Sequence, residues 1–339
     1  MRSSIKYTAA ITLLLIMTGC IKEDGIPPKD SNYSSLRNLI ANNFSFSLWY
    51  EAMQQAGVDT ILDNSSNGYT LFVPDNNAFA KSGISRDSLR RISAAELKKM
   101  VQYHIMTGTT ISAGIPQALN YGYTALNSQL LYTSTNQVDT ALYINGVAVL
   151  QKDIMAKNGV IHALGQVLTP PPPTVQDLLT ADPNYSCLVA GFRKFGIWDE
   201  LRKPGPMVVL APTNDAFAAH NLDEAAIEAM NPAEYRKAAF SAYLMDPVFF
   251  FIPNVFMAPP AGPFIQGDIY LLLERGSNGS DLRVKAVPWN YRSVEMQNRS
   301  IFYGDWVNFP FTSPGKLAAN GIVHQAMDLY MIPDSVRIK

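Results

Sequence analysis

The sequence predicts an α+β protein made of two copies of one small domain. Three pairs of matched phrases carry that expectation. NGVIHALGQVLTPP at 158–171 returns as NGIVHQAMDLYMIP at 320–333, and YTLFVPDNNAFA at 69–80 returns as MVVLAPTNDAFA at 207–218. LKKMVQYHIM at 97–106 is answered by YRKAAFSAYLM at 235–245. Order and rough spacing hold for all three, which indicates duplication rather than chance. Helix-spaced apolar positions and short strand-like runs bounded by turn residues alternate in each copy, the pattern of a mixed fold.

The N-terminus stands apart from both copies. Arg2 and Lys6 precede an almost wholly apolar run from Tyr7 to Met17, and Met17-Thr18-Gly19 leads into Cys20. About 11 apolar residues suit a secretory signal and are too few to span a bilayer. A cysteine directly after a small residue resembles the bacterial lipoprotein signal. That resemblance implies removal of 1–19, acylation of Cys20 and a tether over 20–31. Acyl chains burying about 0.8 kcal/mol per CH₂ then make a lasting membrane anchor. Ile21-Lys22-Glu23-Asp24-Gly25 resembles the surface-export signal of some Gram-negative lineages, so the outer-membrane anchor faces either the cell surface, the favoured reading, or the periplasm. Without Arg2 and Lys6 the 27 basic residues become 25 against 28 acidic, a net charge of −3 with no basic stripe for nucleic acid. If Cys20 carries lipid, Cys187 in NYSCLVAGF is left alone as a small buried hydrophobe, and no disulfide is expected.

The first domain is expected over 32–170. Leu36, Leu39, Ile40, Leu48 and Met53 suit one or two short helices before Ala56, and Asn67-Gly68 marks a turn into a strand from Tyr69 to Val73. Asp75 or Asn76 caps the turn after Pro74. Ser93 and Glu96 form a capping box that opens a helix running to His104. ALYINGVAVL at 141–150 reads as a hairpin turning at Asn145-Gly146. Asn158-Gly159 is a turn before a strand that sets Val160, His162 and Leu164 on one face and Ile161 and Ala163 on the other. Pro170 to Pro173 make a stiff junction of about 3 Å per residue, with the linker at 171–174. The second domain follows over 175–339, with Asn231-Pro232-Ala233-Glu234 expected to open a helix. From Pro74 to Asn158 is 84 residues and from Pro212 to Asn320 is 108, so the second copy carries 24 more, assigned to an insertion at about 246–311.

TLFVPDNNAF, APTNDAF, Tyr103-His104 and NGVIH together resemble the fasciclin family, with each copy covering one such domain. The resemblance implies two tandem domains, each a small twisted β-sheet sandwich or wedge flanked by short helices. It also implies adhesion without catalysis. Tyr103, His104, Asp153 and Ile154 match positions implicated in that adhesion. The structural alternative for His104 is an imidazolium at a helix C-terminus, favoured by the dipole. The second copy places Tyr243-Leu244 where the tyrosine-histidine pair would be, which puts an adhesive site there in doubt. His162 and His324 read as satisfied core groups.

Other chemistry finds no support. No nucleophile elbow, P-loop or dinucleotide fingerprint occurs, and the four histidines are too scattered for a local metal motif. A calcium-like start at Asp63 fails at its twelfth position, which is Pro74. No catalytic residue, metal or cofactor is therefore expected. In the insertion, Trp289, Tyr291, Tyr303 and Trp306 sit among polar and turn residues, as in a sugar-binding platform, a protein anchor or a satellite core. The expected function is a lipid-anchored envelope protein that binds an extracellular protein or polysaccharide. The alternatives are a glycan-capture accessory to an outer-membrane uptake system and a scaffold among envelope lipoproteins.

Overall fold

The structure, a computed structural model, describes residues 33–63, 68–135, 141–236, 238–245, 251, 269–273, 282–286, 293–298, 307–310, 315–329 and 333–338. The signal and tether at 1–31 with Cys20, and the aromatic residues Trp289, Tyr291, Tyr303 and Trp306, lie outside the described residues.

The first half contains α1 (Leu36–Ala41), α2 (Ser47–Gln55), β1 (Tyr69–Pro74), α3 (Asn76–Lys81), α4 (Arg86–Arg91) and α5 (Ala94–Tyr103). There follow β2 (Ile105–Thr107), β3 (Tyr121–Thr124), β4 (Leu130–Thr135), β5 (Leu142–Ile144), β6 (Val147–Ala156) and β7 (Gly159–Leu164). The strands form one sheet in the order β2-β1-β7-β6-β5-β4-β3. β1 and β7 are parallel, with Phe72 opposite His162, and every residue of both is buried. One face of this pair, Leu71, Val73, Ile161 and Ala163, packs on the helices through Leu36, Trp49, Phe79 and Val101. On the other face Phe72 and Leu164 meet Tyr103, Leu131 and Ile144. A strand covered on both faces needs a continuous apolar run, which YTLFV supplies.

Local signals decide where these elements begin. Asp75 accepts the Ala78 N–H at 2.7 Å and caps α3, and Ser93 with Glu96 completes the capping box of α5. Asn145 (φ 48°) and Gly146 (φ 75°) close the β5–β6 hairpin in two residues, as a primed turn requires.

The second half contains α6 (Val175–Ala181), α7 (Ser186–Lys194), β8 (Met207–Pro212), α8 (Asn214–Ala218), α9 (Glu224–Ala229), α10 (Ala238–Ser241) and β9 (Leu244–Met245). Next come β10 (Ile269–Leu273), β11 (Leu282–Ala286), β12 (Ser293–Asn298), β13 (Val307–Pro310), β14 (Lys316–Ala318) and β15 (Gly321–Ala326). β15 runs parallel to β8 with Gly321 opposite Met207, as Gly159 stands opposite Tyr69. A single core here joins Phe192, Val209, Phe217, Phe240, Tyr243 and Val323.

The repeated phrases recur because each copy needs the same fasteners. Asn158 Oδ1 accepts the Leu36 N–H at 2.8 Å, and its Nδ2 donates to Leu62 O at 2.6 Å. Asn320 likewise accepts the Val175 N–H at 2.8 Å and donates to Leu201 O and Lys203 O, each at 2.9 Å. Each asparagine thus pins the first turn of its copy's leading helix to the strand pair. Asn76 and Asn214 cap α2 and α7 from a distance, accepting the N–H of Leu48 at 3.1 Å and of Cys187 at 3.0 Å. Asn158→Ala is expected to cost about 2 kcal/mol or more, since it orphans a donor and an acceptor at roughly 1–3 kcal/mol each. Urea unfolding measures this, and Asn158→Asp, which keeps the acceptor, should fall between.

Two expectations are corrected. Asn231 caps only a 3₁₀ turn at Pro232–Glu234, because Tyr235 is extended and bridges to Arg337. The helix comes later, as α10. The matched phrases at 97–106 and 235–245 also shift by one residue. Phe72 N–H donates to His104 O and Leu210 N–H to Tyr243 O, both at 2.9 Å, so Ala242-Tyr243 occupies the place of Tyr103-His104. Finally, the described part of the insertion, which the sequence left without assigned elements, is an antiparallel sheet, β10-β11-β12-β13.

Candidate functional site

Tyr103 ends α5 and His104 follows as its C-cap, and both side chains are fully buried. Tyr103 Oη donates to Leu130 O and accepts from Asn145 Nδ2, each at 2.8 Å. Burial pushes the phenol upward from its ordinary pKa, so it stays a donor. Asn145 Oδ1 in turn accepts the Tyr132 N–H at 2.8 Å. The chain from Tyr103 to Asn145 therefore fixes the β5–β6 turn.

His104 has both ring nitrogens assigned by their partners. Met100 O, 2.8 Å from Nδ1, can only accept, and the Leu168 N–H, 2.9 Å from Nε2, can only donate. The ring is the neutral Nδ1–H tautomer, and burial holds its pKa down at about 4. The imidazolium expected at this helix end is thus overturned: desolvation outweighs the dipole. Neither Tyr103 nor His104 presents a side-chain surface to a ligand.

Asp153 and Ile154 are placed differently. Asp153 has φ 59° at an irregularity where β6 slips against β7 between Gln151 and Ile154. Its carboxylate accepts the Ser112 N–H at 2.7 Å and the Ser112 hydroxyl. Its own N–H donates to His162 Nδ1 at 3.3 Å, leaving His162 Nε2–H to donate to Thr110 O at 3.0 Å. Burial lowers the His162 pKa as well. Asp153 is half-buried and ties β6 to the 110–114 segment, while Ile154 packs on the helical core. The structure brings Asp153 to His162, not to the Tyr103-His104 corner.

The residues that Tyr103 and His104 hold, Asn145 and Leu168, meet at a cleft of about 490 Å³ between the two halves. Val147 and Pro172 continue that wall, and Leu178, Lys316 and Leu317 face it. The proline junction is fastened to both sides, by Gln129 Nε2 on Pro171 O at 2.8 Å and the Ala319 N–H on Pro172 O at 2.9 Å. On the far wall Lys316 Nζ reaches Asp182 at 2.5 Å and lies over the Tyr185 ring, 5.5 Å from its centroid. Burial pushes the Asp182 carboxyl up, but Lys316 and the Asn184 N–H together hold it below its ordinary value. Mostly apolar walls with a few placed polar groups suit binding.

The family model of the fasciclin domain matches residues 44–170. Those residues are a fasciclin domain. Transforming growth factor-beta-induced protein ig-h3 of Sus scrofa is 30% identical over 190 residues, 54% of this chain and 26% of that protein. Periostin of Homo sapiens is 29% identical over 156 residues, 44% of this chain and 18% of its own length. The chain thus spans about a quarter or less of these animal relatives. A solved domain pair from the insect cell adhesion molecule fasciclin I covers 86% of this chain and 97% of its own, at 20% identity and a TM-score of 0.38.

The junction cleft itself was not foreseen in the sequence. Its signals were the Asn145-Gly146 turn and the proline run, each readable alone. Their meeting depends on His104 reaching Leu168 across 64 residues.

Proposed function

We propose that the protein is a non-catalytic binding or adhesion protein of the cell envelope, anchored through Cys20. In this reading residues 175–339 are a second, divergent fasciclin-like domain, and the chain engages an extracellular protein at the junction cleft. The fasciclin domain at 44–170 supports the adhesive role. The observation that carries the site is the support behind its wall: the buried Tyr103 and His104 spend their polar groups on Asn145, Leu130 and Leu168. His104 and His162, with both ring nitrogens engaged, are not free to serve as bases. Among the described residues no helix is long and apolar enough to cross a membrane, so attachment in this reading rests on lipid.

The test uses the full chain in detergent on an array of extracellular matrix proteins and polysaccharides. Ala181→Trp fills the cleft from an exposed position, so binding to a matrix protein should fall at least tenfold with the melting temperature unchanged. Equal binding by wild type and Ala181→Trp contradicts the cleft. Loss of polysaccharide binding only in Trp289→Ala or Trp306→Ala supports glycan capture by the insertion instead. Cys20→Ala should release the chain from membranes, and protease treatment of whole cells decides whether it faces outward.

A further inference from the structure

A second concavity, of about 540 Å³, lies wholly on the second half, where the parallel strands β8 and β15 both end. We propose that it binds a neutral sugar ring, held by Asp215 and Gln325 against the exposed side chain of Met327. Among the described residues the side chains of Asp215 and Gln325 take no hydrogen bond or ion pair within the chain, so their donors and acceptors are available to a ligand, whereas Asn184 at the rim is turned to the Asp182 carboxylate. Carboxylate and amide groups are planar and offer paired oxygens or an oxygen beside an NH₂, a match for adjacent hydroxyls. Met327, 56% exposed, supplies a polarizable apolar surface for the CH face of a ring. No lysine or arginine is among the lining residues, and Asp215 and Asp328 disfavour an anion. His220 Nε2 meets Asp328 at 2.6 Å, which fixes that carboxylate in the wall.

Comparison of the copies shows that this cleft is a departure from the repeat. Gln325 stands opposite Ala211 where the first half has Ala163 opposite Val73, and Ala163 is only 7% exposed in the core. Eight residues beyond the strand proline, His220 replaces Ser82. In the first half the Ser82 hydroxyl accepts the Val167 N–H at 2.9 Å and closes the same place. Beyond the strand, Met327 and Asp328 stand where the first half has Gly165 and Gln166. The second copy has exchanged a closed contact for an open polar cleft. A buried or bound polar group left unpaired is unfavourable, so such a set discriminates for a ligand that pairs with it.

The site is separate from the junction cleft, so either can fail alone. The test is saturation-transfer NMR and calorimetry on the full chain in detergent, with cellobiose, maltose, xylobiose and mannobiose as neutral probes. Galacturonate and glucosamine serve as charged ones. At least one neutral disaccharide should bind saturably and weaken at least tenfold in Asp215→Ala and in Gln325→Ala. Ala181→Trp should leave that binding unchanged. The proposal is overturned if no neutral disaccharide binds, if binding survives both substitutions, or if only a charged probe binds.

Discussion

Replacing Gly159 by alanine is expected to destabilise the first half of the chain strongly, with a large drop in its melting temperature. Gly159 has φ 153°, and a Cβ there would stand 2.0 Å from Tyr69 O, 2.8 Å from Leu36 Cδ1 and 2.9 Å from Tyr69 N. Two of these are backbone atoms of the paired central strand, which cannot retreat without breaking the β1–β7 ladder. Overpacking of roughly 1–3 kcal/mol and backbone strain of roughly 1–3 kcal/mol combine to about 2–6 kcal/mol. That is a large share of the 5–15 kcal/mol or so that stabilises a typical domain. Gly321→Ala should act on the second half through overpacking alone, since the Cβ would lie 2.5 Å from Met207 O but the φ of Gly321 is not in the glycine-favouring region. Its loss should be the smaller of the two. Gly57→Ala is the control: φ is 63° but nothing lies within 4 Å, so only the backbone strain of about 1–2 kcal/mol is added. Circular dichroism and thermal melting separate these cases. A native-like melt for Gly159→Ala would show that the strand pair is looser than described.

The second large effect is a loss of stability in mild acid. The unfolded His104 takes up a proton near pH 6.5, whereas the folded ring resists it until about pH 4. Between these values the unfolded state binds more protons, so stability present above pH 6.5 drains away as the pH falls towards 4. The full effect of His104 is about 3 kcal/mol at 1.36 kcal/mol per pKa unit. His162 adds in the same direction, because burial lowers its pKa too. Protonation would also set a second N–H of His104 against the Leu168 N–H, breaking the bond that shapes the cleft wall. Urea midpoints should drop steeply between pH 7 and pH 4.5. In His104→Gln the protein should be weaker at pH 7 but show a shallower fall. A midpoint flat across that range would contradict the buried neutral ring.

Much of the fold is legible in the sequence because its fasteners are local or repeated. The Ser93–Glu96 capping box, the Asn145-Gly146 turn and the Asp75 cap each satisfy backbone groups within a few residues. The Asn-Gly phrase announced itself by recurring, although its meaning, a clamp on Leu36 from 122 residues away, needed the fold. What the sequence hid was long-range. Asn76 read as a cap for the next turn, but it serves α2, 28 residues earlier. The one-residue slip at Tyr243 arose because both phrases are apolar there. Only the bond from the Leu210 N–H to Tyr243 O sets the register. The motif pair Tyr103-His104 was visible as a motif, yet its burial was not, because a histidine at a helix end reads equally well as exposed.

The central claim is that Tyr103 and His104 work from inside, holding the walls of the junction cleft rather than touching a ligand. Long-range ¹H–¹⁵N NMR of the folded chain with ¹⁵N-labelled histidine tests it directly. The account predicts that His104 stays an Nδ1–H neutral ring with no titration from pH 8 down to about 5. A ring that titrates near 6.5, or one found as the Nε2–H tautomer, would contradict it and return His104 to the solvent-facing surface.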